Sequence, residues 1–431
     1  MNAYDRHFPT RLEAPDFDIL DILLADLAAR IQLPAALHAR AVERYSTIRD
    51  WIDRDGSPLQ GRVQLMYPQG SMATDTTIAR YSEKDEFDID ILTDLDPRVG
   101  RDPVIGLGLL YRAIRGEPGS RYYDKTTLNT RCVTVDYADM HLDLTPALRN
   151  VAAVPRECEI FHHKPGANPP DKKLVWANPF GFAEWFRRST PVERDFANFF
   201  SERSLKMDQR RMGNVVARAP GEAVPTQAPV YRKSRAVVCL QLIKRWRNVR
   251  YDRADRRDRR RPPSILLALY VGHYAGFPAP GISLMDALIH HLELMKGRLV
   301  WWTAQPFRIH ETNPIFPDDL LTDRWPKDTA DMKDFIEDLT AFLRDIQDLK
   351  SGKHPIDEMR LILGRLFGER PAQAVVDDMR EDLVRAARDQ QMKIGKSVAG
   401  ATIAAPTILK SPTALAVPRH NHFGGPSEKD D

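Results

Sequence analysis

From Phe87 to Ile91 the chain alternates Phe, Asp, Ile, Asp, Ile. A period of two is that of a β-strand with one buried side, so Phe87, Ile89 and Ile91 turn inward and Asp88 and Asp90 project together from the other face. Such a face can hold hard divalent cations. A second alternating stretch, Met140 to Leu144, directs Leu142 and Leu144 to the core and Asp143 away from it, which places a third acid on a neighbouring strand. Upstream, Arg62 to Tyr67 reads as a strand leading into Gln69-Gly70-Ser71. Glycine there lets the backbone approach phosphate, and Ser71 offers a hydroxyl at a helix start.

Three carboxylates suit Mg²⁺, with Mn²⁺ as a substitute, because a hard ion prefers oxygen ligands and is completed by waters and substrate phosphates. Bound there, such ions favour in-line displacement of pyrophosphate by a hydroxyl, and one of the acids can accept the hydroxyl proton. A DxD pair alone is weak, since alternating strands commonly carry a solvated polar face. The turn, the pair about 17 residues after it and a third strand-borne acid together point to metal-dependent nucleotidyl transfer.

On these residues the chain resembles the bacterial cyclic-oligonucleotide synthases of the cGAS/DncV-like nucleotidyltransferase (CD-NTase) family, which make signalling nucleotides in antiphage (CBASS) defence. Gln69-Gly70-Ser71 is similar to the family's phosphate-binding turn, Asp88 and Asp90 to its paired metal ligands, and Asp143 to its third. Leu240 to Arg247 resembles the lysine-bearing helix, and Arg261-Pro262-Pro263-Ser264 a second substrate-contact segment. The resemblance implies that Lys244 and Ser264 touch triphosphate from the far side of a cleft. It further implies an α/β (α+β) fold: a polymerase-beta-like core with a mixed sheet, packed against a C-terminal helical lobe. The implied activity joins nucleoside triphosphates, ATP among them, into a cyclic di- or trinucleotide. By residue pattern alone, Lys244 reads as a snorkelling surface residue on an amphipathic helix.

The 431 residues suit two or three domains or one bilobal enzyme. Residues 17–32 and 34–54 carry helical periodicity and are expected to brace the catalytic sheet. Mixed α/β patterning then runs to about residue 156, with a helix over 103–115. The stretches 165–179 and 213–229 are rich in proline and small residues, and the second reads as a connection that crosses the cleft. The expected division is a catalytic lobe over 1–215, a helical lobe over 230–392 and a flexible tail over 393–431. The run at 420–424, His-Asn-His-Phe-Gly, resembles the ending of family members whose tails engage a conjugating partner, so a regulatory or conjugating protein is an expected partner.

With 63 basic and 60 acidic residues the chain is no global polycation, so any positive field is local. The three cysteines, Cys132, Cys158 and Cys239, make neither a disulfide framework nor a zinc site and fit a reducing cytoplasm. No leader is evident, and the most apolar helix, near 265–277, is too short for a membrane span. The arginine run 253–261 is expected to be a solvated helix end or loop; a phosphate or RNA contact is its rival. The pairs His162-His163 and His290-His291, like His420 and His422, read as structural or exposed rather than metal-binding, and the tryptophans as core. No cysteine- and histidine-rich insertion like that of the animal DNA sensor is present, so nucleic-acid activation is not expected. The same acids would also serve a linear-product synthase, an RNA-tailing enzyme or a protein-nucleotidylating enzyme. A non-catalytic nucleic-acid scaffold using Arg253 to Arg261 is the reading from another class.

Overall fold

A computed structural model describes residues 18–79, 87–150, 156–213, 232–276, 281–352, 354–388, 392–396, 402–406 and 415–416. Helices α1 (Ile19–Ile31) and α2 (Ala35–Ile52) precede strand β1 (Val63–Pro68), a single helical turn α3 (Gly70–Ala73) and strand β2 (Phe87–Leu95). Helix α4 (Pro103–Arg115) leads to strands β3 (Thr126–Leu128), β4 (Val133–Asp136), β5 (Met140–Arg149), β6 (Cys158–Lys164) and β7 (Asp171–Ala177). Helices α5 (Pro179–Ser189), α6 (Arg194–Gly213), α7 (Arg235–Tyr251), α8 (Ser264–Tyr274) and α9 (Leu284–Thr303) follow. A small hairpin, β8 (Thr312–Asn313) and β9 (Phe316–Leu320), precedes α10 (Thr329–Lys350), α11 (Ile356–Phe367) and α12 (Glu369–Arg388).

The sheet runs β1-β2-β5-β4-β3, and β6 and β7 extend it from the far half of β5. Among the described residues only β2 and β5 pair in parallel, joined by a crossover through α4; the other pairings are antiparallel. The sheet is therefore mixed, as expected. Its period-two patterning sends Ile89, Ile91, Val133, Val135, Leu142 and Leu144 into one apolar layer with Ile48 and Ile52 of α2 and Leu107 and Leu110 of α4. Asp88, Asp90 and Asp143, having the opposite parity, stand on the uncovered face. Pro68 ends β1, an edge strand, where a missing N–H costs no ladder bond.

The second core is helical and unites residues of α7 to α12 with others of α1, α5 and α6. The expectation that both N-terminal helices brace the sheet thus holds for α2 alone. Helix α1 is apolar nearly all round, burying Leu20, Leu23, Leu24, Leu27 and Ile31, and its Asp26 pairs with Arg203 of α6 at 2.6 Å. Only a site surrounded by helices can bury such a helix. Phe182, Phe186, Phe196 and Phe200, which lie within the expected catalytic lobe, join the same core. The proline-rich stretch 165–179 carries β7, which completes the sheet edge. Most of the expected connection, 214–229, lies outside the described residues. In the segment expected as a tail, strands β10 (Met392–Lys396), β11 (Thr402–Pro406) and β12 (Leu415–Ala416) pair antiparallel; the 420–424 run lies outside the described residues. Among the described residues, no helix is long and apolar enough to cross a membrane.

Candidate active site

The parallel register sets Asp90 directly beside Asp143 and Asp88 beside His141. Asp88 is exposed; Asp90 and Asp143 are half-buried. The third acid thus stands on the adjoining strand, where the alternation of Met140 to Leu144 puts it. Asp143 accepts a hydrogen bond from the Thr134 hydroxyl of β4, and His141 pairs with Asp136 at 2.7 Å.

The turn after β1 closes onto this face. Gln69 N–H donates to the Asp90 carbonyl at 2.8 Å, and the Gln69 side-chain amide reaches the Thr145 hydroxyl at 3.2 Å. Gly70 has φ +57°, and a Cβ there would press into the Asp90 carboxylate, with Cγ only 3.1 Å away. A left-handed backbone and a close carboxylate both demand glycine.

Across from the sheet stands α7. Lys244 is 4% exposed and its ammonium donates to the Thr76 carbonyl at 2.8 Å. The surface-snorkelling pattern reading is therefore wrong: α7 is buried on nearly every side, and its mixed composition reflects a polar stripe turned toward the cleft rather than toward solvent. Arg247, one turn on, donates to the Pro262 carbonyl at 2.8 Å and the Ser264 hydroxyl at 3.1 Å, which brings Ser264 to the same wall. Asp88, Asp90, Gln69, Gly70, Ser71, Lys244 and Ser264 all line one cavity of about 480 Å³.

Burial pushes the Asp90 carboxyl up to about 7, and the neighbouring charges of Asp143 and Asp88 push the same way. Burial and the nearby Arg247 guanidinium bring the Lys244 ammonium down to about 7, against the pull of Asp90 and Asp88. Crowded carboxylates on one face are an electrostatic demand for a cation. Among the described residues, no three His, Cys, Asp or Glu side chains already converge on one ion position. Mg²⁺ needs only one or two carboxylates, with waters and phosphates for the rest, so this oxygen donor set fits it.

Sequence reasoning missed Arg131, Arg247, Asn248 and Thr77, which line the same cavity. The first comes from the β3–β4 turn, where its Nε donates to His162 at 2.9 Å and its guanidinium pairs with Asp323. Arg247 and Asn248 could have been found from Lys244 by helical spacing at i+3 and i+4; nothing local marks Arg131. The arginine run is mostly an exposed loop, as expected, but Arg256 pairs with Asp338 of α10 at 2.9 Å and Arg259 with Asp334 at 2.8 Å. Arg261 reaches the cavity wall. His162 bonds to Arg131 and Asp171, and His291 is buried in the helical core, so these histidines are structural.

Residues 22–165 match the family model described as Second Messenger Oligonucleotide or Dinucleotide Synthetase domain. The chain is 35% identical over 416 residues to the cyclic dinucleotide synthase CdnG of Bradyrhizobium diazoefficiens, covering 94% of each. It is 24% identical to a c-di-GMP synthase of Roseivirga ehrenbergii, covering 82% of this chain and 85% of that protein. The solved structure of the B. diazoefficiens CD-NTase CdnG in complex with GTP superposes with a TM-score of 0.69 at 34% identity, over 84% of this chain and 99% of that one. Its fold is the polymerase-beta-like one expected from the sequence, and the chain belongs to the CD-NTase family of cyclic-dinucleotide-forming nucleotidyltransferases.

Proposed function

We propose that this enzyme joins two nucleoside triphosphates, at least one of them GTP, into a cyclic dinucleotide, with release of pyrophosphate. The observation that carries the reading is the facing of Asp88 and Asp90, with Asp143 beside them, onto the cavity that Ser71 and Lys244 share. The guanine assignment is supported by the c-di-GMP synthase and by the GTP complex of CdnG.

Asp88, Asp90 and Asp143 would hold Mg²⁺, which when bound neutralises phosphate charge and lowers the pKa of a coordinated hydroxyl. The Gln69-to-Ser71 turn and Lys244 hold the donor triphosphate, and Arg247 sets the Ser264 hydroxyl beside it. A ribose hydroxyl of the acceptor attacks the donor α-phosphorus as the bond to the β-phosphate bridging oxygen breaks; an aspartate takes the hydroxyl proton. Holding both nucleotides in one cavity makes each attack effectively unimolecular, and a second transfer closes the ring. We place the product in antiphage signalling, as the family resemblance implies.

The test is incubation with all four labelled ribonucleoside triphosphates and Mg²⁺ or Mn²⁺, then phosphatase treatment and mass spectrometry. A protected mass of a guanine-containing cyclic dinucleotide is expected. It should vanish in a folded Asp88→Asn/Asp90→Asn enzyme, which loses charge at constant volume. Linear, phosphatase-sensitive product alone would sink the cyclic reading.

A further inference from the structure

Residues 75–79, between the phosphate turn and β2, run along α7 and are held from two sides. Ala79 N–H donates to the Ile31 carbonyl at 2.6 Å, and Ile78 makes an antiparallel bridge to Gln32. On the other side, α7 and the residues before it spend side-chain donors on this segment's carbonyls. Lys233 reaches Asp75 at 2.6 Å, Lys244 reaches Thr76 at 2.8 Å, Gln241 reaches Thr77 at 2.9 Å and Arg245 reaches Ala79 at 2.6 Å. Gln241, Lys244 and Arg245 fall at i, i+3 and i+4, so one helix face lies along the segment. Gln241 is fully buried, and a buried carbonyl left without a donor costs more than the bond itself contributes.

The segment held this way ends in a contact with the phosphate turn. The Thr77 hydroxyl donates to the Ser71 hydroxyl at 3.2 Å, and Thr76 N–H donates to the Ser71 carbonyl at 2.9 Å. A serine hydroxyl has one proton and two lone pairs. With one lone pair taken by Thr77, the Ser71 proton is released to point into the cavity, where an anionic phosphate oxygen is the natural acceptor.

We propose that Thr77, anchored through its carbonyl by Gln241, is a positioning residue that keeps the Ser71 hydroxyl aimed as a donor at the bound triphosphate. This rests on the reading of the cavity as a triphosphate site. Gln241 is not among the residues lining the cavity, so an effect of its substitution on nucleotide binding is transmitted through Thr77.

The experiment measures binding of a non-hydrolysable GTP analogue with Mg²⁺, along with KM and kcat, for the wild type, Thr77→Val, Thr77→Ser and Gln241→Met. Because the lost interaction serves ground state and transition state alike, Thr77→Val should weaken binding and raise KM by about tenfold with little change in kcat. Thr77→Ser should restore both, and Gln241→Met, which melts lower for its stranded carbonyl, should shift KM the same way in the folded enzyme. Wild-type affinity in Thr77→Val, or a Thr77→Ser enzyme as weak as Thr77→Val, overturns the proposal while leaving the triphosphate site intact. Should Thr77→Val fail to fold, Gln241→Met decides it: unchanged KM overturns the proposal. A wild type that binds no triphosphate overturns the site reading and the proposal with it.

Discussion

Gly70 meets two demands at once. Its φ of +57° is costly for any residue with a Cβ, and that Cβ would collide with the Asp90 carboxylate. Gly70→Ala should therefore displace Asp90, and since misplacing a reacting group by about 1 Å costs on the order of 100-fold in rate, turnover should fall at least that far. The melting temperature should drop only modestly, because the turn is a local feature. Steady-state rates beside thermal melts check both. Asp88 and Asp90 were legible in the sequence because alternation in a strand is a local property, and Asp143 for the same reason. Lys244 was not: the mixed apolar and basic residues around it are compatible with either face of a helix, and only the packing of α7 shows that its ammonium points at Thr76.

At the scale of elements, α7 departs most from a simple pattern reading. A helix buried nearly all round normally reads as apolar, yet α7 buries Gln241, Lys244, Arg245 and Arg247 because each has carbonyls or hydroxyls to satisfy. The loop after it is tied down by Asp338 of α10, 5% exposed, which accepts from Arg250 at 2.8 Å and from Arg256 at 2.9 Å. Asp338→Ala takes the buried carboxylate from two partly buried guanidinium groups that each keep another carboxylate, Arg250 with Asp255 and Arg256 with Asp334, and losing a hydrogen bond to a charged group costs about 2 kcal/mol. Denaturant unfolding should show a loss of that order. A change within experimental error would mean that solvent already screens these pairs.

Over the whole molecule, two buried groups of the helical core contribute pH-dependent stability of opposite sign. His291 has its pKa lowered to about 3 by burial, with His290 adding to the effect. Its neutral form is the folded one, so stability is full above the unfolded value near 6.5 and declines as pH falls toward 3. His291→Leu should flatten this acid limb by up to about 1.4 kcal/mol per pH unit. Asp21, whose carboxylate accepts from Met285 N–H at 3.1 Å and so ties α1 to α9, is raised to about 6, chiefly by burial. Here the folded state keeps the proton longer, so its contribution is full below about 4 and is lost as pH rises through 6. Asp21→Asn keeps an acceptor oxygen without the charge, and it should melt higher than wild type at pH 8 with the gap closing near pH 4. Melting temperatures across pH 4 to 8 for both variants test the two signs.

The sequence by itself determined the sheet strands, the carboxylate face, the glycine turn after β1 and most helix spans, because strand parity, turn chemistry and helical period are written within a few residues of one another. Tertiary structure alone decided that α1, α5 and α6 belong to the helical core, that Asp90 and Asp143 lie side by side in register, and that Arg131 reaches the cavity. Those outcomes depend on which apolar face finds which partner across hundreds of residues, and a periodic pattern states that a face must be covered without stating by what.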